Sequence, residues 1–72
     1  DARLFAALLD GEEKVQHELA ANRLGYVHVA RGTVEVNGTA LEAGDALKLS
    51  GPVDIVLQKA RDAEVLLFDL NR

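Results

Sequence analysis

The sequence lacks two residue types whose absence restricts what it can be. It contains no cysteine and no methionine. Without cysteine, neither a disulfide framework nor a thiolate metal site can stabilise so short a chain. Nothing indicates an oxidising compartment, so we expect a cytoplasmic location. Because a natural translation product begins with methionine and this chain opens on Asp1, we expect it to be part of a longer polypeptide.

Basic clusters and long apolar runs are also absent. The formal net charge is −4, with lysines and arginines scattered along the chain. This pattern argues against non-specific nucleic-acid binding, since phosphates need a basic face. No apolar run is long enough to cross a bilayer, so we expect no membrane partner. What remains is 72 residues, 49% of them hydrophobic, which predicts one small domain over residues 1–72.

Alternation of apolar and polar residues dominates the chain and predicts an all-β sandwich or barrel. Strands are predicted over residues 2–10, 14–20, 25–31, 33–38, 46–50, 53–58 and 63–70. Their inward positions form a predicted core of Val27, Val29, Val34, Val36, Leu47, Leu49, Ile55, Leu57, Val65 and Leu67. One segment has an open alternative, because residues 10–25 also read as an amphipathic helix with Val15, Leu19 and Leu24 as its stripe.

Glycines mark the predicted turns between these strands. The structural turn residues are Asp10, Gly11, Gly32, Asn37, Gly38, Gly44 and Asp45. Asp10–Gly11 and Asn37–Gly38 are residue pairs typical of hairpins. Asp45 is expected to bond local backbone amides. The glycines are too widely spaced to form a phosphate-binding loop.

The order of these features carries a family resemblance. The stretch VHVARGTVEVNGTALEAGDALKLSG (residues 27–51) resembles the core of cupins. Together with VQHELA before it and DAEVLLFDL after it, the order resembles the C-terminal cupin domain of bacterial pirin-like proteins, which are two-domain bicupins. The resemblance implies a small cupin-type double-stranded β-helix, a jelly-roll barrel of about seven to eight short antiparallel strands. It also implies an N-terminal cupin domain in the same chain as the partner.

The resemblance further implies where the cofactor of such proteins would be held. In pirin-like proteins the ligands for iron or another divalent metal lie in the N-terminal domain, and some members are quercetin 2,3-dioxygenases. Counted on this sequence, the cupin ligand positions fall at Glu18 and Ala20 or Leu19 and Ala21, at Gly25, and near Ile55. Glu18 alone cannot replace three or four converging ligands. We therefore expect no cofactor, no metal and no catalytic residue in this domain.

The two histidines, His17 and His28, are the remaining candidates for chemistry. His17 alternates with Val15 and Leu19 and is expected to point inward, so it is a weak metal candidate. The simpler interpretation is a half-buried histidine hydrogen-bonded to backbone, because no second ligand is spaced to join it. His28 is expected on the surface or in an interface. One alternative is a small-molecule-binding barrel with His17 and Tyr26 as polar contacts.

The last predicted strand is apolar on both faces, which indicates that something packs against its outside. Leu66, Phe68 and Leu70 lie on that second face. The leading hypothesis is that this face packs on the N-terminal cupin domain, with the present domain serving as a metal-free structural half. Another alternative is an independent homodimer that associates through the same face.

Overall fold

A computed structural model describes residues 2–71, and every regular element in that part of the chain is a β-strand. The strands are β1 (Ala2–Gly11), β2 (Val15–Leu19), β3 (Arg23–Val36), β4 (Thr39–Glu42), β5 (Ala46–Ser50) and β6 (Val53–Asn71). All pairings are antiparallel. The all-β prediction is therefore confirmed, and the helical alternative for residues 10–25 is wrong. Residues 2–71 include no helix that could span a membrane.

Two long strands organise the fold, because β3 and β6 each run through both of its layers. The C-terminal half of β6 pairs with β1 and with the N-terminal half of β3, to which β5 is added. We call these strands the first layer. The N-terminal half of β6 pairs with β2 and with the end of β3, to which β4 is added. These strands form the second layer, and the two layers together are a double-stranded β-helix.

The structure has six strands where seven to eight short ones were expected. Two pairs of predicted neighbours merge: residues 25–31 and 33–36 fall in β3, while 53–58 and 63–70 fall in β6. The sixth strand, β4, was not predicted. Each long strand bends at left-handed residues, which are Gly32 (φ 75°) in β3 and Lys59 (φ 51°) and Asp62 (φ 50°) in β6. The bends carry one strand from layer to layer without ending it.

The two bends are pressed against each other at Gly32. A Cβ atom at this position would overlap the carbonyl oxygens of Arg61 and Asp62. Glycine is therefore required for space as well as for its positive φ. The predicted turn at Gly32 is a bend within β3.

The predicted turns differ in what they connect. Asn37 and Gly38 both have positive φ and join β3 to β4 as a hairpin. Asp10–Gly11 does not join a hairpin, because β1 and β2 pair with β6 in different layers. The Asp10 carboxylate instead accepts a hydrogen bond of 2.9 Å from the backbone N–H of Asp62. At the turn containing Gly44 (φ 96°), Asp45 accepts a bond of 2.9 Å from the N–H of Glu42.

The core lies between the layers and is filled by aliphatic side chains. Its members are Leu9, Leu19, Val27, Val29, Val34, Val36, Leu41, Ile55, Leu57, Ala60, Ala63, Val65 and Leu67. Eight of the ten predicted core residues belong to this set, whereas Leu47 and Leu49 on β5 are half-buried and pack against it. β5 pairs with β3 along one side only, so its side chains are less covered. Within residues 2–71, these aliphatic side chains occupy the interior in which the small-molecule alternative requires an open lumen.

Candidate functional site

A polar cluster lies at one end of this apolar interior, and we call it the mouth cluster. It consists of His17, Arg23, Asp69 and Asn71. Asp69 is the buried charged residue of the segment 2–71, with 4% of its surface exposed. Its carboxylate contacts His17 Nε2 at 2.8 Å through Oδ2 and accepts a bond from Arg23 Nε at 2.6 Å through Oδ1. Arg23 also donates to the carbonyl oxygen of Asp69 at 2.9 Å and to Asn71 Oδ1 at 2.7 Å.

The strand pattern places these groups together. Asp69 alternates with Leu67 on β6 and therefore points to the interior, opposite Gly25 of β3. His17 belongs to β2 in the second layer, opposite Ile55. The bond between His17 and Asp69 therefore links the two layers.

The surroundings of Asp69 keep its carboxyl group ionised. Burial by itself would raise the pKa of Asp69. The hydrogen bonds and positive charge of Arg23, together with the bond to His17, lower this pKa by more than burial raises it. The pKa of Asp69 is thus held below its usual value. Because an ionised carboxylate has no proton to give, His17 Nε2 is the donor in the bond between them.

His17 points inward, but its partner differs from the prediction. The expected bond to backbone is wrong, since His17 Nε2 is bonded to the Asp69 side chain. The imidazole is 19% exposed and its ring centroid lies 4.9 Å from that of Phe5. Tyr26 lies on the opposite face of the sheet, in an edge-to-face contact with Phe68 at 5.9 Å. The alternative in which His17 and Tyr26 line one pocket is therefore wrong.

Of the positions counted for cupin ligands, the structure brings together Leu19, Gly25 and Ile55, which are apolar. Leu19 and Ile55 have no exposed surface. A Cβ atom at Gly25 would lie 2.9 Å from Ile55 Cδ1 and 3.1 Å from Leu19 Cδ2. Glu18, Ala20 and Ala21 are exposed. Hydrocarbon contacts therefore fill the place where the ligand pattern converges.

The mouth cluster does not fit the transition-metal site of a cupin. Among residues 2–71, no three His, Cys, Asp or Glu side chains are grouped closely enough to hold a metal ion. The cluster supplies one imidazole and one carboxylate, whereas such sites need three or four ligands. Its carboxylate is already paired with a guanidinium group at 2.6 Å.

An apolar surface covers the outside of the first layer, and we call it the outer face. It is formed by Leu4, Leu24, Tyr26, Leu66, Phe68 and Leu70, which lie in neighbouring register on β1, β6 and β3. Leu4 is 59% exposed and Leu24 37%. His28 also faces this side, opposite Leu66, as predicted for a surface or interface residue. A groove of about 350 Å³ at the β5 side of this face is lined by Leu24, Tyr26, Lys48 and Leu70.

Comparison with known proteins identifies the family. Residues 1–70 match the quercetinase C-terminal cupin domain. The chain belongs to this family. A pirin-like protein of Caulobacter vibrioides is 38% identical over 69 residues, which are 96% of this chain and 30% of that protein. A quercetin 2,3-dioxygenase of Escherichia coli is 39% identical over 70 residues, which are 97% of this chain and 30% of that protein.

Solved structures agree with this assignment. The crystal structure of the bacterial pirin YhhW in complex with nickel(II), from Escherichia coli, matches with a TM-score of 0.91 and 34% identity, over 99% of this chain and 31% of that one. A de novo designed double-stranded β-helix matches with a TM-score of 0.68 at 14% identity and supports the fold alone. The pirin-like cupin assignment is thereby confirmed. The chain spans about 30% of the length of the curated relatives.

Sequence reasoning missed Asp69 and Arg23, although a signal for Asp69 was present. The inward alternation of Val65 and Leu67 continues to Asp69, so a charged residue falls on the buried face of an apolar strand. Such a residue needs a partner, because an unpaired buried charge is strongly unfavourable. The identity of that partner depends on strand pairing that the sequence does not specify.

Proposed function

We propose that this chain is a metal-free cupin domain that forms the structural and interaction half of a longer pirin-like protein. It covers the N-terminal cupin domain of that protein through the outer face. The activity of the longer protein would be that of a metal-dependent quercetin 2,3-dioxygenase, with iron or another divalent metal held in the N-terminal domain. The present domain would contribute no catalytic residue.

The observation that carries the metal-free part is the convergence of Leu19, Gly25 and Ile55. Inner-sphere ligation needs several lone-pair donors directed at one point. These positions instead present two methyl groups and a hydrogen atom, packed too closely for a larger side chain at residue 25. The function proposed for this half is therefore structural.

The outer face supports the docking part. A monomeric domain rarely leaves several large apolar side chains adjacent on one sheet unless a partner covers them. The relatives are about three times as long as this chain, which matches 30% of their length, so a partner domain within one polypeptide is available to them. A covering domain would also protect the exposed edge of β1, which among residues 2–71 pairs with β6 alone.

Elemental mass spectrometry tests the metal-free part. The purified chain is exposed to iron, manganese, copper and nickel salts and then desalted. We expect less than about a tenth of an equivalent of each metal, because converging ligands are missing. Near-stoichiometric metal that disappears in His17→Ala would overturn this part of the proposal.

Hydroxyl-radical footprinting tests the docking part by comparing this chain alone with the same residues in the full-length protein. We expect Leu4, Tyr26 and Phe68 to be modified in the isolated chain and protected in the full-length protein. Phe68→Glu should remove the protection. Ala40→Glu is the control, because Ala40 is exposed on β4 in the second layer, away from the outer face. Equal modification in both contexts would contradict docking.

A homodimer through the same face is the second candidate, supported by the same exposed leucines. Sedimentation of the isolated chain distinguishes it from docking within one polypeptide. A wild-type dimer that becomes monomeric in Phe68→Glu would favour self-association. A wild-type monomer would leave the N-terminal domain as the partner of this face.

A further inference from the structure

We propose that the free edge of β1 accepts a further β-strand, contributed by the N-terminal part of the same pirin-like polypeptide. The first layer then continues beyond β1 instead of ending there. The inference rests on the proposed function for the presence of a partner domain. It deepens that proposal by naming the backbone edge at which the partner is joined.

Four strands form the edges of the two layers, and β1 differs from the other three. Among residues 2–71, β1, β2, β4 and β5 each pair with one neighbour. Natural edge strands avoid pairing with other chains by being short or by carrying charged residues. β2, β4 and β5 have four or five residues each and contain Glu18, Glu42 and Lys48 respectively. β1 has ten residues, and residues 4–9 are all apolar.

Large apolar side chains are exposed on both faces of β1. Leu4 and Leu8 point to the outer side, as does Phe68 opposite Leu4, and Leu8 is 69% exposed. Phe5 is 42% exposed and points to the other side, in register with the core residue Leu67. A domain that rests on the outer face alone covers Leu4 but not Phe5. A strand beside β1 covers both faces, because its successive side chains alternate between them.

The backbone of β1 gives the same indication. Its register with β6 is unbroken from Ala2 to Leu9, so no bulge turns this edge away from a partner. In an antiparallel pair every second residue directs its N–H and C=O groups to the paired strand, and the residues between direct theirs away. β1 therefore presents a straight row of free donors and acceptors. A strand of about six residues would pair with this row over about 20 Å.

The family assignment favours a strand from the same polypeptide over a second copy of the chain. The matched family is a C-terminal cupin domain, which places the remainder of a longer relative chiefly before β1. Strands that follow one another in sequence are usually neighbours. A six-residue contact is small for a stable complex of separate chains, but tethering raises the effective concentration of the strand. Because a two-stranded pair is marginal by itself, the added strand joins β1 once β6 has ordered it.

Residue-resolved amide hydrogen exchange in the full-length protein tests the inference. A free edge strand protects every second amide, whereas a strand paired on both sides protects consecutive amides. We expect consecutive protection over residues 4–9. β4 is the internal control, because it lies in the second layer and should show alternate protection over Thr39–Glu42. Alternate protection in β1 overturns the inference. Sedimentation gives the association state of the same sample, and consecutive protection confined to a dimer also overturns it.

Phe5→Ser in the full-length protein tests the side of β1 that the outer face does not include. We expect the amides of β1 that point away from β6 to exchange at least about tenfold faster relative to β4, because an apolar contact with the added strand is lost. Arg3→Ser is the matched control, since Arg3 is exposed on the same side of the same strand and should leave these rates unchanged. Equal rates in the two variants would contradict the inference. If Phe5→Ser does not fold, the exchange pattern of the wild type decides.

The outcomes separate this inference from the docking part of the proposed function. If β1 shows alternate protection while Tyr26 and Phe68 are protected from hydroxyl radicals, docking holds and the added strand is excluded. If β1 shows consecutive protection while Tyr26 and Phe68 are modified equally in both contexts, the added strand holds and docking through the outer face is excluded.

Discussion

Asp69 is held inside an apolar core by hydrogen bonds that come from both layers of the fold. Arg23 reaches it from β3 and His17 from β2. A buried ion pair is weak evidence for stability when compared with an apolar replacement, but removing one partner leaves the other charge uncompensated. The mouth cluster therefore constrains the relative position of the layers, and its loss should be costly.

Replacing Asp69 with alanine or asparagine is expected to lower the free energy of unfolding by about 3 kcal/mol, because Arg23 and His17 lose their common anionic partner. The exposed Asp54→Asn is the control, with an expected change within about 0.5 kcal/mol. Chemical denaturation at neutral pH measures both. Equal effects of the two substitutions would show that the cluster does not stabilise the domain.

Acid should reproduce the loss of Asp69. Its pKa in the folded domain lies below the ordinary value of 3.8. A lowered pKa means that the unfolded chain takes up the proton first, so the stabilisation is complete above that ordinary value and falls as the pH drops through it towards the folded-state pKa. Denaturation midpoints measured from neutral to acid pH should show a smaller acid loss in Asp69→Asn than in the wild type. If the midpoints of the wild type and of Asp69→Asn fall in parallel with pH, the acid sensitivity does not come from Asp69.

Gly25 supports a third prediction at the residue scale. Gly25→Ala should lower the free energy of unfolding by about 1 kcal/mol, because its methyl group would press on Ile55 Cδ1. Ile55→Val removes that carbon atom, so the double variant should lose less than the sum of the single changes. A double-mutant cycle by urea denaturation gives the coupling. Additive effects would mean that the contact with Ile55 Cδ1 is not the cause of the lower stability of Gly25→Ala.

At the scale of the elements, the bends in β3 and β6 decide how the strands are arranged. Alternation in the sequence predicted nearly every strand position and eight buried core residues, because one face of each strand is covered and the period of two is preserved. It did not predict that neighbouring strands would merge. The sequence predicts a turn at Gly32. In the structure β3 instead continues through Gly32, which lies against the carbonyl oxygens of the bend in β6.

The pairing of strands was the other element-level feature beyond sequence reasoning. Asp10–Gly11 has the composition of a hairpin turn, yet β1 and β2 pair with a strand more than thirty residues away in sequence. Local turn preference is worth little against the burial gained when both strands join β6. The mouth cluster depends on the same long-range pairings, which is why its members could not be associated in advance.

Two glycine substitutions separate the crowding at the bend from its backbone strain. Gly32→Ala should lower the free energy of unfolding by about 4 kcal/mol or prevent folding, because the added methyl group meets backbone carbonyls that cannot move aside. Gly44→Ala shares the positive φ but meets no atom within 4 Å, and should cost about 1–2 kcal/mol. Thermal unfolding compares the two. If both substitutions lower the free energy of unfolding by a similar amount, glycine is required at position 32 for its positive φ alone.

At the scale of the whole molecule, the layers share two strands and should not unfold separately. Val65→Ala in the first layer and Val34→Ala in the second each remove buried methyl groups, at an expected cost of about 2 kcal/mol. Both should lower the temperature of one common transition, with equal calorimetric and van't Hoff enthalpies. Scanning calorimetry decides the point, and two resolved transitions in either variant would show that the layers are independent.

The central position of β6 has a consequence for how the domain is made. During synthesis the ribosome releases β1 and β2 first, and neither has a partner until Val53–Asn71 follows. A nascent chain that stops short of this segment can form little beyond the β3 pairings with β4 and β5. Folding of this domain must therefore wait until β6 has been made, and β1 and β2 stay available to chaperones until then. Truncated chains that lack β6 should be cleaved readily by proteases, because β1 and β2 remain unpaired in them.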